Sequence, residues 1–137
     1  MNARRGFLRN SLANLALLAL PSARASASTA ATRTIYQHDL PNVSLSGWQV
    51  TILELTFPPG ETSPKHMHPG FVLGYVLEGK FRFHVEGEKE TVLGPGDVFC
   101  EPPGRAHLPS GSASAALPAR VLALVFSEKG KELVMPA

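Results

Sequence analysis

Cysteine is nearly missing from this chain: Cys100 is the only one in 137 residues. An intrachain disulfide is excluded, and with it the small scaffolds that depend on cross-links for their stability. A lone thiol reads first as a small apolar residue inside a core. Basic clusters are also scarce once the first residues are set aside, which removes nucleic acid from the expected partners. No internal repeat and no long helical period is visible. The one extended apolar stretch, Leu12 to Leu20, is too short and wrongly flanked for a membrane-spanning helix. No Ser-His-Asp or Cys-His arrangement with supporting residues appears, so a nucleophilic mechanism has no evident carrier.

What is present begins with an address. Residues 1–25 have a basic head (Arg4, Arg5, Arg9), an apolar centre and a small-residue exit at Ala23-Arg24-Ala25. That order is a cleavable export signal, and RRGFLR resembles the twin-arginine type. The expected division is a signal peptide over 1–25, a flexible leader over 26–34 and one domain over 35–137. Cleavage would remove four arginines and no acid, turning the formal charge of +2 into −2. The expectation is a periplasmic or secreted protein with no stable membrane anchor after cleavage.

The remainder reads as strands cut by Gly and Pro turns. Trp48 to Phe57 is rich in branched and aromatic residues and stops at Pro58-Pro59-Gly60. Phe71 to Leu77 follows, and then Lys80 to Glu86 alternates, with Phe81, Phe83 and Val85 on one face. Thr91 to Leu93, Val98 to Cys100 and Arg120 to Phe126 complete the set, and Ser110 to Ala116 is a loop by composition. Short strands at this spacing predict an all-β sandwich or barrel.

Chemistry centres on His66 and His68. In an extended chain residues i and i+2 point the same way, so both imidazoles can share one ion. His107 stands where a strand resumes after Pro102-Pro103-Gly104. The order Gly60, His66, His68, Gly79, then Gly96, Pro102, Gly104, His107 resembles the two-part signature of the cupin family over residues 45 to 127.

That resemblance implies a double-stranded β-helix, the jelly-roll barrel, with His66, His68 and His107 holding a divalent metal inside it. The family's glutamate would fall at Val72 and its asparagine at Gly111, so this chain departs at both. Three neutral imidazoles suffice for a catalytic ion with open positions, and a centre without its carboxylate would attract an anionic or enolisable substrate. Glu101, in FCEPPGRAH, can restore a carboxylate near the metal or serve as a base, but apolar residues on both faces of its strand leave its direction open.

Counting in twos from Val72 turns Gly74 inward, which reads either as room beside the metal or as a simple packing need. Phe81, Phe83 and Trp48 are expected in the core, and His38 and His84 on the surface. The resemblance implies one transition metal, with iron(II) first and zinc, manganese, nickel or copper as alternatives, and a homodimer. Two functions follow: a metalloenzyme of dioxygenase type acting on a small organic anion, or a non-catalytic module that captures a small ligand or metal.

Overall fold

Branched and aromatic residues at alternate positions build the longest strands. The computed structural model describes residues 32–137, which hold ten strands and no helix. The signal-type segment and leader residues 26–31 lie outside the described residues. β1 (Trp48–Phe57) and β9 (Ala119–Glu128) run antiparallel along their whole length, from Trp48 opposite Glu128 to Phe57 opposite Ala119. Along β9 every second side chain, from Ala119 to Ser127, is buried, and the intervening ones are half-buried. This is the period-2 pattern of a sheet with one face on a core.

β3 (Phe71–Glu78) pairs with β9 on one side and with β6 (Val98–Glu101) on the other, giving the order β1-β9-β3-β6. Two small sheets face it. One joins β10 (Met135–Pro136), β2 (His66–Met67) and β7 (Ala106–His107). The other joins β5 (Thr91–Leu93), β4 (Phe81–Phe83) and β8 (Gly111–Ser112). Single bridges from Val85 to His107 and from Thr62 to Gly111 stitch the short strands together. The result is an all-β jelly roll, the double-stranded β-helix expected from the sequence.

The core has two parts. Val76, Phe81, Phe83, Phe99 and Val121 belong to one, and Val72, Ala123 and Val125 form the other, with Leu53 and Leu133 against it. Val72, Val76, Val121 and Val125 are at most 2 % exposed, and burial of each contributes about 1.5–3 kcal/mol.

Several expectations need correction. The strand read over Lys80 to Glu86 shortens to β4, because Val85 leaves the ladder to bridge His107. Ser110 to Ala116 is not simply a loop, since it contains β8. Ser110 and Ser112 are buried there, their hydroxyls donating to the carbonyls of Leu108 and Leu117 at 2.8 Å. A polar composition is tolerated inside when each hydroxyl finds a backbone acceptor. Gly111 replaces the signature asparagine for a steric reason: a Cβ there would sit 2.2 Å from the Glu61 carbonyl oxygen. Trp48 is only half-buried, packed 6.2 Å from Phe71 beside a surface groove. Cys100 is half-buried on the outer side of β6.

Gly74 does face inward, but it leaves no space beside the histidines. A Cβ there would lie 1.9 Å from Cζ of Phe99, whose ring covers the glycine and packs 5.2 Å from Phe81 and 4.7 Å from Phe83. The zero-size side chain therefore makes room for an aromatic one. Gly74→Ala should destabilise the protein by about 1–3 kcal/mol, the usual range for overpacking. Urea unfolding of this variant, alone and combined with Phe99→Leu, checks it. Failure of the smaller residue at 99 to restore stability would show that the ring is not the obstacle.

Candidate metal centre

Extended backbone sets the first two ligand candidates. His66 lies in β2 and His68 just beyond it, and their rings meet at 5.1 Å and 85°. β7 lies alongside with His107 directly opposite His66, ring to ring at 5.1 Å and 86°. The turn that delivers His107 is tied to the histidine pair by a backbone bond. Gly104, at φ 67°, donates its N–H to the His68 carbonyl at 2.9 Å, and that left-handed φ explains the glycine.

The carboxylate comes from the facing sheet. Alternation along β6 buries Phe99 and Glu101 together, so Glu101 points inward. Its cross-strand partner is Val72, the position where the family signature places its glutamate. The acid has thus moved one strand sideways on the same rung. Glu101 Oε2 lies 3.0 Å from His68 Nε2, and Oε1 lies 3.5 Å from His107 Nε2. His66, His68 and Glu101 offer ligand atoms within 4.8 Å of one another, and His107 adjoins this set. All four residues singled out in the sequence converge on one place.

Two carbonyls fix the histidine tautomers. His66 Nδ1 bonds the Pro64 oxygen at 2.7 Å, and His68 Nδ1 bonds the Leu133 oxygen at 2.6 Å. A carbonyl only accepts, so the protons sit on Nδ1 and the Nε2 lone pairs stay free for an ion, the usual support for a ligating imidazole. With neutral His68, its Nε2 then faces Glu101 Oε2 as acceptor against acceptor. The approach is close, but it is not a hydrogen bond: among the described residues Oε2 is without a partner, as are both ring nitrogens of His107. His68, Glu101 and His107 are 7 %, 6 % and 5 % exposed. Buried polar atoms left in this way are costly, and one cation among them would satisfy those that carry a free lone pair. The donor set therefore fits a divalent transition ion.

The titration behaviour agrees. Burial pushes His107 down to about 4, opposed only in part by Glu101 and aided by His66, His68 and His84, so this ring is neutral and free to ligate. Burial also pushes His68 down, but the Glu101 carboxylate and the Leu133 carbonyl outweigh it and its pKa is raised. Glu101 thus favours positive charge at the place where an ion would stand.

Beside these groups lies a cavity of about 290 Å³. Its walls include Leu53, Phe57, Val72, Phe81, Val121 and Val125, and among the described residues Ser63 is the only polar lining side chain besides the three histidines and Glu101. Phe81 is thus both core and cavity wall, while Phe83 stays in the core. His38 stacks on Tyr36 at 6.0 Å on the outside, and half-buried His84 bonds the Glu88 carbonyl at 3.1 Å; neither lines the cavity. Sequence reasoning missed Leu133 and Val134. Nothing in the sequence of that segment marks it, because its role depends on β10 pairing with β2.

A family model described as a cupin domain matches residues 53–125, more than half of the chain. No curated protein matches. A cupin-like protein from Thermotoga maritima is 26% identical, with a TM-score of 0.52 over 59% of this chain and 58% of that one. The DMSP lyase DddQ from Ruegeria pomeroyi is 25% identical, with a TM-score of 0.56 over 64% of this chain and 43% of the lyase. The polyketide cyclase RemF from Streptomyces resistomycificus, 21% identical with a TM-score of 0.53 over 64% of this chain and 60% of that one, shares the fold. The chain spans less than two thirds of the length of each of these proteins.

Proposed function

Because the chain belongs to the cupin family, we propose that it is a metal-dependent enzyme acting on a small organic anion with a mainly apolar body, by oxidation of the dioxygenase type. One observation carries this reading: two histidines and a carboxylate cluster at the edge of an apolar cavity. Two histidines and one carboxylate with open positions are the ligand set of non-haem iron(II) oxygenases. Iron(II) held by His66, His68 and Glu101, with His107 beside them, would supply substrate chelation and oxygen activation.

The protein's own residues supply the rest. With Glu101 counted, a dipositive ion keeps one net positive charge, which suits a single anionic group on the substrate. Leu53, Phe57 and Val121 bind the apolar body and exclude water. Glu101 presents one oxygen to His68 and the other toward His107, so one can serve the ion while the other accepts a substrate proton. Among the described residues no lysine, tyrosine or second acid lines the cavity. A reaction needing an additional proton donor is therefore less well served than oxidation, although one similar protein is a lyase.

Metal analysis followed by oxygen uptake across a panel of phenols, diketones and organic acids tests the proposal. The expected result is about one redox-active ion per chain and turnover that disappears in His107→Ala. Metal bound with no turnover on any compound would instead favour a binding module. Turnover without oxygen consumption would replace oxidation by elimination chemistry.

Export through the twin-arginine route is the other part of the reading, carried by Arg4-Arg5. That route would take a domain already folded around its ion. Replacing both arginines with lysine should retain the precursor inside the cell, as seen by fractionation; normal export would dismiss it.

A further inference from the structure

The segment that pairs with the histidine strand touches the centre in two ways. β10 lies antiparallel to β2, with Met135 opposite Met67 and Pro136 opposite His66. The Leu133 carbonyl, just before it, accepts a hydrogen bond from His68 Nδ1–H at 2.6 Å, and the Leu133 side chain packs on Val72, Ala123 and Val125. Val134 lines the cavity yet is 48% exposed, as a residue at an opening must be. Leu55, 38% exposed, and Pro64 frame the same opening from β1 and from the approach to β2.

From these contacts we infer that residues 133–136 form a clasp in which Leu133 positions His68 for the ion and Val134 sets which substrates pass into the cavity. The inference rests on the metalloenzyme reading and adds a positioning residue and a specificity residue to it. Leu133 acts through its main chain. Its carbonyl removes the tautomer in which Nε2–H would donate to Glu101 Oε2, 3.0 Å away. Without the clasp that tautomer is favoured, and a proton then occupies the lone pair the ion requires.

The tautomer can be read without metal. Nitrogen-15 NMR of the metal-free full chain, at a pH alkaline enough for His68 to be neutral, should show Nδ1–H. A chain ending at Glu132 should shift to Nε2–H and bind cobalt(II) about 10–100-fold more weakly, the usual loss when a ligand's outer partner is removed. Nε2–H in the full chain overturns the positioning role, even if the shortened chain does not fold. The same tautomer and the same cobalt affinity in a folded shortened chain also overturn it.

Val134→Trp in the full chain tests the opening. It should lower binding of benzohydroxamate relative to acetohydroxamate at the cobalt-loaded centre by about tenfold, as visible spectra report. An unchanged ratio overturns the specificity role. Failure of the full chain to bind cobalt at all would refute the metalloenzyme reading, while the tautomer would still decide whether Leu133 orients His68.

Discussion

Glu101→Gln should lower affinity for iron(II) or cobalt(II) by about 100-fold or more, with no loss of stability in the metal-free protein at a pH alkaline enough for His68 to be neutral. The two effects separate because the residue does opposite things in the two states. With an ion present, Glu101 would supply the anionic ligand of the cluster it forms with His66 and His68. Loss of a mere outer partner already costs about 10–100-fold, so loss of the ligand costs at least as much. Without the ion, it is a carboxylate 6 % exposed, with one oxygen unpartnered. Buried charge of this kind contributes little to stability or opposes it. Glutamine keeps the shape, and its amide can donate to the free Nε2 of His68. Isothermal titration of the metal and thermal melting of the metal-free protein measure the two halves. Unchanged metal affinity would remove Glu101 from the ligand set.

Val72→Glu should have the opposite profile, destabilising the metal-free protein by about 3–5 kcal/mol. Val72 and Glu101 are direct partners across β3 and β6. Directly opposed side chains have Cβ atoms about 4.5–5.5 Å apart. Two carboxylates would then share one dry rung, and mutual repulsion with burial would raise the folded pKa of at least one. A raised carboxylate pKa costs stability above the unfolded value, so the penalty should vanish at acid pH and grow as pH rises. The exchange Val72→Glu with Glu101→Val removes the repulsion and puts the acid on the strand used in the family signature. It should recover stability and bind metal more tightly than Glu101→Gln. Denaturant unfolding across pH and metal titration of the double variant decide the matter. A double variant with no metal affinity would mean that the two ends of this rung are not interchangeable.

The strands and three of the four converging side chains were legible because their signals are local. Alternation places His66 and His68 on one side whatever surrounds them, and Gly and Pro end strands wherever they occur. The signature spacing added His107. Where both faces of a segment are apolar, alternation carries no direction. Val98 to Glu101 is such a segment, and the orientation of Glu101 became evident only when Phe99 was found against Gly74. That same contact gave Gly74 its packing role, which two residues 25 positions apart could not disclose in sequence. Small polar composition misled at Ser110 and Ser112, whose hydroxyls are satisfied internally by carbonyls that composition does not reveal.

Residue order was enough to establish a β-rich chain, its turns and the identity of the groups that could meet a cation, since backbone periodicity and turn chemistry act over a few residues. Which groups actually meet was left to folding. Opposition of Val72 and Glu101, the grip of the Leu133 carbonyl on His68 and the apolar wall beside them all arise from strands distant in sequence. Register between such strands is set by the packing of the whole barrel, and no short stretch of the chain contains it.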